Sequence, residues 1–289
     1  DSLWVGNLLG DQALGSVTIS STIFMMVLAF VIGINNATLT ILSQQKGMRD
    51  DKGLRRYVNA FVVLLTLLSF IIGAFGYLFA REILVFFNTP ESMLTGATVY
   101  LRISFIGILF IMGYNFISTV LRALGDSKTP LKFVFLAVIL NTILDPLFIA
   151  VFNWGIHGAA FATILSQGIA FLLAVVYSYK KRIIPFSKPH IPSRTETWVI
   201  LKLGIPAGMQ MMVIQFGITT ILSLVNSFGA AVVAGYGAAQ RIDSLIMLPA
   251  SSLGTAVNSM AGQNIGANRW ERVRKIAKFG VIVNALIMF

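Results

Sequence analysis

The chain has 289 residues, 56% hydrophobic and only 11% charged, with no cysteine and a formal net charge of +11. Soluble domains carry about 25% charged residues, so this composition excludes a soluble globule, and the missing thiols exclude a disulfide framework and a thiolate metal site. The apolar runs are too long for the strands of a membrane barrel, and the bases fall between those runs, which argues against a nucleic-acid surface.

Taken in order, residues 1–9 read as the tail of a first helix, closed by a tight turn at Gly10-Asp11. A second helix is expected over 13–42, followed by a basic loop at 44–56, and a third over 57–79. Asn88-Thr89-Pro90 is a turn, and a fourth helix runs over 92–124 until Gly125-Asp126-Ser127 breaks it. Ser127 can cap the fifth helix, which has Pro130 in its first turn. Asn153-Trp154-Gly155 ends that helix, and the sixth covers 156–179. Residues 180–194 hold three prolines and five bases and read as a linker between lobes. Seventh and eighth helices are expected over 195–227 and 230–263, and a ninth starts near Trp270. Asp1 falls inside an apolar segment and 281–289 is an unfinished apolar run, so the chain reads as a fragment cut within a helix at both ends.

Nineteen of the twenty-two bases lie in every second loop, at 44–56, 122–132, 180–202 and 269–278. The positive-inside rule puts those loops in the cytoplasm of a multi-pass cell (inner) membrane protein. The four tryptophans fall near predicted helix ends, as an interfacial aromatic belt requires. A repeat is visible without gaps at the spacing that separates Gln44 from Gln263. At that spacing Gly10, Gly47 and Arg55 map onto Gly229, Gly266 and Arg274, and Ile23, Val62, Leu67 and Phe70 onto identical residues. Six helices separate the copies, so both lie the same way up, as in parallel repeats about an axis along the membrane normal. The domain reading is a first lobe at 1–182, a cytoplasmic linker at 183–194 and a partial second lobe at 195–289.

The polar stretch Asn141-Thr142-Ile143-Leu144-Asp145-Pro146 sits inside an apolar run. Insertion scales charge roughly 2.5–3.5 kcal/mol for an Asp at mid-helix, and an intramembrane ionisable residue is by default a functional hypothesis. Asn141 is one turn before Asp145 on the same face. Pro146 has no N–H, which frees the Thr142 carbonyl. Depth places further groups in the same layer. Asp145 is about six residues (~9 Å) from the outer end of its helix, Thr163 about seven (~10 Å) and Asp1 about eight (~12 Å). Asp1, Asn141, Asp145 and Thr163 could together hold Na⁺, or a carboxylate among them could load and release H⁺. Thr163 alone would pass as a helix-packing threonine. Elsewhere, Arg102 reads as a structural ion pair or a snorkelling base. Gln240, Arg241 and Asp243 either line a cavity or pair with other helices. Tyr100 and Gln210 are further candidates for a substrate cavity, and the methionines at 209, 211, 212 and 247 for an adaptable apolar surface.

These residues give the chain a family likeness. Asp1-Ser-Leu-Trp-Val-Gly, Tyr100-Leu-Arg-Ile, Leu121-Arg-Ala-Leu-Gly-Asp-Ser-Lys-Thr-Pro130, Asn141 to Pro146 and Gln263-Asn-Ile-Gly-Ala267 resemble, as a set, a multidrug and toxic compound extrusion (MATE) transporter of the DinF-like prokaryotic branch. The resemblance implies an all-α membrane protein of twelve helices in two pseudo-symmetric lobes. It implies export of cationic, amphipathic compounds in exchange for H⁺ or Na⁺, with no cofactor. It casts Asp1 as the helix-one acid, Asn141 and Asp145 as the helix-five pair and Thr163 as the helix-six hydroxyl. Another branch places a Glu in helix seven, where this chain reads Gln210-Met-Met-Val-Ile-Gln215. The expected partners are small-molecule substrates and membrane lipids, with no nucleic acid, and the expected state is a monomer. The alternative is a flippase for lipid-linked saccharides on a related fold, which would need more intramembrane bases than Arg102 and Arg241. An intramembrane enzyme is disfavoured, since no Ser/His pair and no His-Glu-x-x-His motif is present.

Overall fold

A computed structural model describes residues 2–186, 190–226, 228 and 230–288. Asp1, Gly229 and Phe289 lie outside the described residues, as does the side chain of Arg241. The described residues form helices and no strand: α1 (Ser2–Leu9), α2 (Asp11–Met48), α3 (Asp51–Leu78), α4 (Ala80–Phe86), α5 (Glu91–Ile106), α6 (Ile108–Ala123), α7 (Lys128–Pro146), a π-helical turn (Leu147–Val151), α8 (Gly155–Lys180), α9 (Arg194–Asn226), α10 (Ala230–Gly266) and α11 (Trp270–Met288). This is an all-α integral membrane protein. Five described helices are long and apolar enough to cross a membrane, and the bent pair α5–α6 makes a sixth span. Their outer faces are apolar and uncovered: Phe70 on α3 is 63% exposed, and Leu131 and Phe135 on α7 are 64% and 65% exposed. Such a band suits hydrocarbon and not water.

Three local expectations are corrected. The basic loop at 44–56 is almost entirely helical. Arg49 takes a left-handed conformation after α2, and Asp50 accepts a bond from the Gly53 N–H at 2.9 Å to start α3, so the reversal needs only two residues. The single fourth helix is broken at Gly107 into α5 and α6, bent by 48°. Glycine is a poor helix former, and Ile164 of α8 occupies the space that a Cβ at Gly107 would need. Ser127 does not cap α7. The Asp126 carboxylate does, accepting from Lys128 N at 3.1 Å and Thr129 N at 3.0 Å. A charged acceptor at a helix N-terminus gains from the helix dipole as well as the bonds.

Of the residues between α8 and α9, Ile184 and His190 dock on the body of the protein, His190 against α3. Ile184 is buried in the main core. The Asn59 amide donates to the His190 carbonyl at 2.9 Å and accepts from the His190 N–H at 3.3 Å. Ser193 and Glu196 form a capping box that starts α9, and Glu196, only 6% exposed, pairs with Arg56 at 3.5 Å. The repeat seen in the sequence recurs in the helix boundaries. α10 and α11 start at Ala230 and Trp270, the positions equivalent to Asp11 and Asp51, where α2 and α3 start.

Candidate functional site

Asp145 is the last residue before Pro146 in α7, where α-helical winding gives way to the π-turn Leu147–Val151. The predicted proline bend is therefore a change of helical pitch, a feature common at functional sites. α8 lies against this turn because residue 158 is glycine. A Cβ there would be 2.8 Å from the Phe148 carbonyl carbon and 2.9 Å from its oxygen. That close approach brings Thr163 to α7.

The Asn141 amide donates to Asp145 Oδ1 at 3.2 Å and to Thr163 Oγ1 at 3.4 Å. Thr163 Oγ1 in turn donates to the Ala159 carbonyl at 3.2 Å. Asp145 is 0% exposed although most of its helix faces outward. Three of the four predicted residues thus converge; Asp1 lies outside the described residues. The carboxylate and the hydroxyl supply hard oxygen atoms suited to an alkali cation or a proton, while the Asn141 NH2 group bridges the two. No group of three or more His, Cys, Asp or Glu able to hold a metal ion occurs among the described residues.

Tyr100, expected on a substrate cavity, is instead 6% exposed and packed with Val17, Ile103, Ile149 and Ala159. It interacts with Ser21 and lies within electrostatic reach of Asp145, so it belongs to the packing around the acid. Of the other cavity candidates, Gln210, Gln240 and Asp243 are exposed. Gln240 donates to the Tyr236 hydroxyl at 3.2 Å and lines an open concavity of about 490 Å³ with Gly237, Ser244 and Leu245. Met209 lines a separate apolar groove of about 400 Å³ with Phe30, Phe61 and Ile200. Arg102 donates from Nε to the Tyr77 carbonyl at 3.2 Å and stacks over the Tyr77 ring at 5.4 Å, which anchors α5 to α3.

The MatE family model matches residues 1–147 and 206–289. A probable multidrug resistance protein of Bacillus subtilis, YpnP, is 62% identical over 94% of this chain and 61% of its own length. A second from the same organism, YoeA, is 32% identical over 98% of this chain and 63% of its own. The chain therefore spans somewhat less than two thirds of these relatives. An outward-facing multidrug resistance MATE family transporter of the MOP superfamily superposes with a TM-score of 0.91 at 24% identity, covering 99% of this chain and 64% of that one. A MATE structure in a straight conformation gives 0.90 at 25% identity over the same shares. The matched residues and these relatives, with the fold, place the chain in the MatE family of multidrug and toxic compound extrusion transporters, a family of transporters and not of enzymes.

Proposed function

We propose that this chain is part of an ion-coupled antiporter that exports cationic, amphipathic compounds by alternating access in the cell membrane. Residues 1–182 would form the first lobe, 183–194 the linker and 195–289 part of the second, with the basic loops in the cytoplasm. The coupling site is Asp145 with Asn141 and Thr163, joined by Asp1. The observation that carries the reading is Asp145 itself, fully buried and held by Asn141 beside a change of helical pitch. A carboxylate in that setting needs a cation, and H⁺ or Na⁺ is the transported ion that supplies it. With the ion bound the cluster is near neutral and α7 can close at Pro146. With the ion gone the carboxylate needs water or a cationic substrate, so the cleft reopens. About 5.5 kcal/mol of differential binding moves a two-state equilibrium from 1:99 to 99:1. Gln210, Gln240, Arg241 and Asp243 are the proposed contacts for cargo, with the exposed Met209 and Met212 giving apolar tolerance.

Asp145→Asn keeps the shape of the side chain and removes its charge. In full-length protein in proteoliposomes it should insert normally and lose efflux driven by an imposed H⁺ or Na⁺ gradient. A variant pumping at the wild-type rate would leave the α7 site with a structural role only.

A further inference from the structure

One face of α9 changes character along its length. Arg194, Trp198, Leu201 and Ile205 recur at helical spacing and share that face, and all four are exposed. From the basic-loop end inward, the face presents a cation, then an indole one turn further, then hydrocarbon alone. Glu196 lies on the opposite side of the helix, buried, with its charge taken up by Arg56.

Two concavities run along this face and meet at Leu201. The first, of about 480 Å³, is lined by Arg194, Thr195, Thr197, Trp198 and Leu201. The second is the apolar groove of about 400 Å³, walled by Ile34 of α2, Leu64, Leu68 and Ile71 of α3, and Leu201 and Ile205 of α9. Every side chain that lines it is apolar. Gly204 forms part of its floor, and a Cβ there would only touch Ile34, at 3.8 Å. The missing side chain leaves the space above it open. From Phe61 to Ile71 the groove rises ~15 Å along α3, half of a hydrocarbon core of ~30 Å, so it is as deep as one leaflet. Trp198 then falls at headgroup level, where indoles are favoured. Arg194 is one turn beyond it, Lys202 can reach back to the same level, and the Arg56 side chain, 62% exposed, is at this end too. A cationic amphiphile is repelled by such a mouth. A molecule with a phosphate at one end and an acyl chain at the other matches both concavities.

We propose that the two concavities form one binding site for an anionic glycerophospholipid of the leaflet on the basic-loop side. Its phosphate is held by Arg194 and the Thr195 and Thr197 hydroxyls, its glycerol lies beside Trp198, and one acyl chain fills the groove between α2, α3 and α9. The site requires only that the chain sits in a membrane, so it does not depend on the antiporter reading. It is tested on full-length protein in phosphatidylcholine nanodiscs that contain phosphatidylglycerol with a photoactivatable diazirine on one acyl chain, the labelled peptides being mapped by mass spectrometry. Peptides of α3 and α9 should be labelled well above those of α7, whose bare face at Leu131 and Phe135 meets bulk lipid. Arg194→Gln, an exposed change, should cut the α3 and α9 labelling about fivefold, the worth of one base near a membrane surface. Gly204→Leu fills the groove and should cut it at least as far, with α7 labelling unchanged; Arg194→Gln decides if the leucine prevents folding. Equal labelling of α3, α9 and α7, indifferent to both substitutions, means ordinary boundary lipid and overturns the site. Equal labelling of the groove by a phosphatidylcholine probe of the same chains overturns the anionic preference. Displacement of the probe by a cationic amphiphile as effectively as by unlabelled phosphatidylglycerol makes the groove a cargo path and overturns the proposal as well. Labelling is read without transport, so loss of efflux in the Asp145→Asn experiment, or its persistence, leaves this result untouched.

Discussion

Gly158→Ala tests how α8 positions the proposed coupling cluster. The added Cβ would sit 2.8 Å from the Phe148 carbonyl carbon, which is backbone and cannot swing aside. An ordinary carbon contact of about 3.5 Å requires a retreat of about 0.7 Å by α8 or the π-turn. Thr163 is five residues further along α8. A rigid retreat carries its hydroxyl from 3.4 Å to about 4 Å from the Asn141 amide, beyond hydrogen-bond range. Overpacking of this kind costs about 1–3 kcal/mol, and the lost bond about 0.5–1.5 kcal/mol. If about 1 kcal/mol reaches the cluster, half-saturation by the coupling ion should weaken roughly fivefold. Gly168→Ala is the control on the same helix, because its Cβ would make an ordinary 3.5 Å contact with the Phe110 ring. The assay is drug efflux against H⁺ or Na⁺ concentration in proteoliposomes, with thermal melts of both variants in detergent. Equal ion dependence and equal melting for Gly158→Ala and Gly168→Ala would refute the argument that the Gly158 approach sets the site.

Two further outcomes are expected. Asn59→Ala removes both bonds to His190, so limited proteolysis between Lys181 and Ser193 should speed up several-fold, and unchanged cleavage would mean that Ile184 and the Arg56–Glu196 pair hold the segment alone. Burial acts to raise the Asp126 carboxyl, but bonds from Thr129 and Lys128 and the charge of Lys132 outweigh it and hold the group below its usual 3.8. A lowered carboxyl adds stability above its unfolded value that is lost as pH falls through the folded one. Wild type should therefore melt above Asp126→Asn at pH 7, and the gap should shrink below about pH 4; a gap independent of pH would remove the charge from the account of the cap.

The sequence by itself determined what lies along one helix or follows from composition. Asn141 and Asp145 are four residues apart, and helical periodicity alone puts them within bonding distance. Length, hydropathy and alternating basic loops gave the membrane class, and the repeat of Gln44 and Gly47 at Gln263 and Gly266 was visible before any contact was known. Counting residues from the helix ends also put Thr163 at the right depth, because rise per residue is fixed. Depth does not fix rotation about the helix axis. Whether Thr163 faced Asn141 was decided by Gly158, which sets how closely α8 meets the π-turn. The same limit hid the burial of Tyr100, the break at Gly107 where Ile164 needs room, and the bonds between Asn59 and His190. It also hid the meaning of Gly47 and Gly266: each reads locally as a weak spot in a helix, and only the crossing of α2 on α10, where a Cβ on Gly47 would fall onto the Gln263 carbonyl and one on Gly266 onto the Gln44 carbonyl, makes the missing Cβ necessary. Contacts within a helix are written in its period, whereas contacts between helices depend on rotation and approach distance, which small residues far apart in the chain set jointly.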